Sequence, residues 1–275
     1  MDYKTVMVGL ALDRSNDACL RVAGDIAERF GARVIGVAAS DIRPPMYFAD
    51  GDFAQKLLDQ EAAAIERRLA ELEKEFRASV ERRATAVEWR SARASPVPHL
   101  LQQARAADVL VVGARSETLV DPSAAPDPSD LVMQAGRPLI VVPPRTEWLD
   151  LRSVLIAWKD VREARRAVFD ALPILAAAKE VTVVEVPEQD GRRADALSHV
   201  SDVAGWLRGH GIAANTVVPE RAGSVTEQVE KIASHIGAGA VIAGAYGHSR
   251  FREWVLSGMT RHLATESRRC AFLSR

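Results

Sequence analysis

The chain has 275 residues, 48% of them hydrophobic and 27% charged, with a formal net charge of −1; that is the balance of a soluble globular protein with room for one large domain or two small ones. A net charge this close to zero gives no bulk attraction to nucleic acid or anionic lipid, so neither is expected as a partner. No apolar run approaches the roughly 20 residues that span a bilayer, the first residues lack a basic flank followed by a signal-length apolar core, and Cys19 and Cys270 form no C-x-x-C pair; a reduced, cytoplasmic chain is expected.

Residues 6–12 read as a strand, and Asp13-Arg14-Ser15-Asn16 as the turn and N-cap of a helix striped by Leu20, Ala23, Ala27 and Phe30 and stopped by Gly31. Residues 33–38 give a second strand, so the unit is β-α-β and its strands are expected to be parallel with a right-handed crossover. After a proline-bearing loop at 41–51, Leu58, Ala62, Ile65, Leu69, Leu72 and Phe76 alternate spacings of four and three. That stripe predicts a long helix, covering one face of a sheet in preference to forming a coiled coil, because it lasts only about three heptads. A strand near 86–90, a helix opened by Pro96 and a buried strand at 108–113 follow. The stretch ARSETLVDPSAAPDPSD then reads as a loop. Ser129 or Asp130 is the expected cap of a short helix to Ala135, residues 139–142 a last strand, and Pro143-Pro144 a boundary.

The same order then starts again. Strands are expected at 154–158, 181–186, 213–218, 240–245 and 270–273. Helices are expected at 161–177, from the polar loop PEQDGRR to Arg208, from Ser224 through Val225, Val229, Ile232 and Ile236, and up to Glu266. Residues 1–145 and 150–275 are therefore expected to be two tandem doubly wound α/β domains, each a five-stranded parallel sheet with ligands at the carboxyl ends of its strands.

Function is most legible at 241–260, VIAGAYGHSRFREWVLSGMT. An apolar strand runs into a glycine turn and then a helix, whose first N–H groups lack partners and whose dipole favours an anion. Gly244 and Gly247 lack a Cβ, so the chain can turn sharply there and a ligand can approach it closely. Ten residues on, Ser257, Gly258 and Thr260 offer a second small, hydroxyl-bearing patch for the same phosphate.

This pattern, G-x-x-G followed after about ten residues by small residues, Gly and Thr, resembles the nucleotide-binding signature of the universal stress protein family, and GAYGHSRFREWVLSGMTR resembles its bacterial two-domain members. The third glycine of the pattern falls at Ser257, followed by Gly258. The resemblance covers nearly all of both halves and implies the family fold, related to adenine nucleotide alpha hydrolases. It implies ATP or ADP as a regulatory ligand of the second half, with Mg accompanying the nucleotide, in a stress-response factor with at most slow ATP hydrolysis and no catalytic residue assigned. A nucleotide-free dimeric scaffold with an unidentified protein partner is the alternative. Family members pair through their last strands, so PLIVV and CAFL are expected to join the halves as an internal pseudo-dimer, and a homodimer of two chains is expected besides.

In the family an Asp ending the first strand helps hold adenosine. The count from Val154 puts Lys159 there and Asp160 one place later, with Asp13 the nearest acid in the first half. Either acid alternatively caps its helix. Lys159 pairs with a phosphate or lies exposed in its turn. Arg250, and less so Arg252, contacts phosphate or opens a solvated helix. Trp158 stacks on adenine or belongs to the core; His248 is a turn histidine in preference to a base. Met259 lies within the second patch, and Ala157–Asp160 with Val186 are expected to bury the adenine. The first half keeps Gly113 but has Ser116 at the second glycine position, and it reads as non-binding. No His, Cys, Asp or Glu spacing suggests a metal site.

Overall fold

Apolar runs buried on both faces set the architecture. The computed structural model describes residues 2–42, 51–115, 125–187, 192–245 and 258–275. The first half contributes β1 (Thr5–Leu10), α1 (Asp17–Phe30), β2 (Arg33–Ala39), α2 (Gly51–Val80), β3 (Val87–Ala92), α3 (Pro96–Gln103), β4 (Val109–Gly113), α4 (Pro128–Gln134) and β5 (Leu139–Val142). The second contributes β6 (Ser153–Ala157), α5 (Arg162–Asp170), α6 (Leu172–Ala177), β7 (Glu180–Val184), α7 (Arg193–Gly209), β8 (Ala214–Val217), α8 (Val225–His235), β9 (Ala240–Gly244), α9 (Gly258–Thr265) and β10 (Cys270–Ser274).

The strands form one ten-stranded sheet in the order β3-β2-β1-β4-β5-β10-β9-β6-β7-β8. Each half thus repeats one order, and every pair within a half is parallel. The halves meet where β5 and β10 pair antiparallel, Ile140 opposite Phe272 and Leu139 opposite Leu273, the pairing of last strands that the family resemblance implies. One core lies under α1, α2, α5, α6 and α7 and the other under α3, α4, α8 and α9, so both faces are covered, as a parallel sheet requires. The α2 stripe does cover the sheet: Ile65, Leu69, Leu72 and Phe76 are buried, and Phe76 tilts against Trp89 of β3 at 5.5 Å between ring centroids.

Three local expectations are corrected. The helix expected over 161–177 is two helices, broken at Ala171; Pro173 has no N–H to continue the ladder, and its ring would strike the carbonyl four residues back. The cap of α4 is Asp127, whose side chain accepts from the Ser129 N–H, because Pro128 occupies the first turn and leaves the preceding residue as cap. Asn16 sits at the N-cap of α1 without capping it. Its amide instead closes the turn after β1, accepting from the Ala11 N–H and donating to the Ala11 carbonyl, each at 2.9 Å. Ser224 caps α8 as expected, in a reciprocal box with Glu227.

Burial pushes both thiols, Cys19 and Cys270, up to about 12, so neither forms much thiolate near neutral pH. Both should resist alkylation at pH 8 in the native chain and react fully once it is denatured. Rapid reaction of either thiol in the folded chain would contradict this burial.

Candidate functional site

The second half repeats the doubly wound order, so its switch point lies between β6 and β9, which are neighbours in the sheet and diverge in their connections. Ala157 ends β6, and the Trp158 N–H continues the ladder to the Val184 carbonyl at 2.8 Å. Beside these strand ends lies a cavity of about 220 Å³. Trp158, Lys159, Glu185, Val186 and Pro187 line it from the ends of β6 and β7; Arg192, Asp195, Ala196 and His199 close it from the start of α7, and Val225 from the start of α8. Trp158 is 9% exposed, and its Nε1–H is buried without a hydrogen-bond partner among the described residues.

Glu185 and His199 were not anticipated from the sequence. The imidazole Nδ1 lies 3.1 Å from each oxygen of the Glu185 carboxylate. That bond holds the His199 pKa above its usual value, while at Glu185 burial outweighs the imidazole and raises the carboxyl pKa too. The one signal in the sequence was a lone acid in the apolar run VTVVEV.

The predicted residues do not all come together. Trp158, Lys159 and Val186 meet in the cavity wall. Asp160 neither caps α5, whose N-cap is Val161, nor lines the cavity; it pairs with Arg165 one turn into that helix. Asp13 likewise does not cap α1 and pairs with Arg14.

Gly244 requires a different reading from the one its sequence position suggests. A Cβ there would lie 2.5 Å from the Glu163 carbonyl carbon and from the Ala164 nitrogen. The missing side chain therefore makes room for the start of α5, whose backbone lies where a Cβ on Gly244 would point. Gly258 opens α9, where, among the described residues, a Cβ would meet Thr226 Oγ1 at 3.6 Å; Met259 is half-buried and Thr260 buried. Because Thr226 follows the cavity residue Val225, the start of α9 and the cavity are joined through the first turn of α8. Gly247, His248, Arg250, Arg252, Ser257 and, in the first half, Ser116 lie outside the described residues.

A larger groove, about 880 Å³, runs under the linker between the halves at the opposite ends of β9 and β10, away from the strand ends where a doubly wound sheet takes its ligand. Its Arg269 is engaged by the Ala238 carbonyl and by Ser234 and Glu230. No helix among the described residues is long and apolar enough to cross a membrane. Among them no group of three or more His, Cys, Asp and Glu side chains is placed to hold a metal.

A search of curated proteins found no match. Among solved structures, the chain is similar to a universal stress protein from Archaeoglobus fulgidus, with a TM-score of 0.65 and 16% identity over 98% of either chain. It is also similar to a putative universal stress protein from Pseudomonas aeruginosa, with a TM-score of 0.63 and 13% identity over 99% of this chain and 93% of that one. At such identities the likeness concerns the fold. The sequence itself matches the model of the universal stress protein family over residues 2–143, more than half of the 275. The chain belongs to the universal stress protein family.

Proposed function

We propose that this chain is a cytoplasmic stress-response factor whose second half, residues 150–275, binds ATP or ADP as a regulatory ligand, while the first, residues 1–145, serves as its structural partner. The observation that carries this reading is the cavity at the ends of β6 and β7, which gathers Trp158, Lys159 and Val186 at the place expected for the base. Its size suits a base alone, since whole-ligand pockets run to about 300–1,000 Å³; the ribose and phosphates extend toward the start of α9. Micromolar affinity requires about −8 kcal/mol, and charge at a helix end supplies roughly 0.3–1 kcal/mol, so burial of the base must provide most of the binding. Any Mg arrives with the nucleotide.

The nucleotide-free scaffold is the second reading, favoured by two observations: Asp160 is engaged by Arg165, and the backbone of α5 occupies the space beside Gly244. Under either reading the β5 and β10 edges are already paired within the chain, so a homodimer has to form through another surface. Calorimetric titration of the intact protein with Mg-ATP, beside Gly247→Val, separates the two readings. One saturable site per chain, lost in the variant while its melting temperature holds, is the expected result. No heat up to millimolar ATP, with an unshifted melting temperature, would leave the scaffold.

A further inference from the structure

The cavity wall holds a carboxylate that, among the described residues, no ion pair with Lys or Arg accounts for. Glu185 directly follows the apolar end of β7, its side chain 13% exposed, and among the described residues that side chain bonds His199. The geometry of that contact limits what else the carboxylate can do. With Nδ1 3.1 Å from both oxygens, the imidazole N–H sits on the bisector of the carboxylate and occupies the side where two parallel donors would dock. What remains is the outer lone pair of each oxygen, and these diverge. They suit a single N–H donor, and they repel a carbonyl oxygen.

We propose that Glu185, positioned by His199, is a specificity-determining residue for the base: it accepts a hydrogen bond from a 6-amino group and rejects a 6-oxo group in the same place. The inference rests on the nucleotide reading above and narrows it. Guanine has two adjacent N–H donors, N1 and N2, which need the paired oxygens that His199 already engages. Hypoxanthine places a carbonyl where adenine places its amine. Trp158, Val186 and Ala196 give the apolar surroundings in which an unmatched polar edge is costly.

The test compares ATP with ITP, which differ at the 6-position and the neighbouring N1 proton, by calorimetry at one pH and one Mg concentration. The wild-type protein should bind ATP at least ten-fold more tightly than ITP. In Glu185→Gln the amide turns to donate to a 6-oxo group, and the ratio should fall within about three-fold, the level of a single neutral hydrogen bond. His199→Ala should reduce the ratio as well, and His199→Asn, whose amide can still donate to Glu185, should restore it; a purely structural role for His199 would not respond in that pattern. Melting curves of each variant confirm that the fold persists. ITP bound as tightly as ATP by the wild type, or a ratio unchanged in Glu185→Gln, overturns the inference and leaves the nucleotide site standing. Failure of both nucleotides to bind overturns the site and the inference together.

Discussion

Gly244→Ala should destabilise the protein by about 3 kcal/mol or more, the upper part of the range for overpacking, whereas Gly113→Ala should change it by less than about 1 kcal/mol, as an ordinary contact predicts. The two glycines end β4 and β9, the corresponding strands of the two halves. A Cβ on Gly113 would meet Cys19 Sγ at 3.6 Å, a normal contact, but on Gly244 it would overlap the Glu163 and Ala164 backbone at 2.5 Å. Cys19 and Ala164 are each the third residue of the facing helix. The difference follows from the connections: residues 11–16 separate β1 from α1, and only 158–161 separate β6 from α5. The shorter link draws α5 down until its backbone, which cannot rotate aside as a side chain can, touches β9. Urea unfolding of both variants measures the difference. With roughly 2–4 °C per kcal/mol for a chain of this size, melting temperature should fall by about 6–12 °C for Gly244→Ala. Equal stability of Gly244→Ala and wild type would refute this packing role. Loss of ATP binding in a Gly244 variant would accordingly report on α5, which is why Gly247 is the position to test for phosphate approach.

The contrast also explains what the sequence could reveal. Strand runs such as VLVVG and AVIAG and the stripe from Ile65 to Phe76 carry their own periods, so the repeated order of elements is readable from local pattern, whereas the pairing of the last strands came from the family resemblance. The break at Pro173 was missed because Leu172 and Leu175 keep the helical spacing across it, so the stripe outweighed the proline. The cap is Asp127 and not the expected Ser129 or Asp130, because Pro128 in the first turn leaves the residue before it as cap. Gly244 carries a phosphate motif in sequence and a packing role in space, because the atoms it makes room for belong to Glu163 and Ala164, some eighty positions earlier. Asp160 reads in the sequence as a cap or an adenosine ligand, yet Arg165, five positions on, holds it. Glu185 directly follows β7 and His199 lies on α7, fourteen positions on, and such a pair has no signature until the chain is folded.

Residues 1–145 and 150–275, expressed together as separate fragments, should copurify as a one-to-one complex, and either fragment alone should self-associate. Leu139, Ile140, Val141 and Val142 of β5 and Ala271, Phe272 and Leu273 of β10 are all 2% exposed or less in the intact chain. Separating the halves would bare an apolar strand with unpaired N–H and C=O groups on each, the kind of edge that recruits another strand. Fully burying a side chain such as Leu139, Ile140, Phe272 or Leu273 is worth about 1.5–3 kcal/mol, enough to offset much of the entropy lost on association. A further tie would favour the matched partner over self-pairing: Tyr3 Oη donates to the Asp170 carbonyl at 2.7 Å across the halves. The Arg115 N–H, just past β4, donates to the Ala264 carbonyl of α9 at 3.1 Å, so the first half also braces the helix that opens with Gly258. Gel filtration with light scattering reads the masses. Phe272→Asp in the second fragment should abolish both self-association and copurification, because a buried charge opposite Ile140 has no partner there. Two fragments that stay folded, monomeric and indifferent to each other would show that the β5–β10 seam joins halves already complete in themselves, and would remove the structural ground for treating the first half as an integral partner of the second.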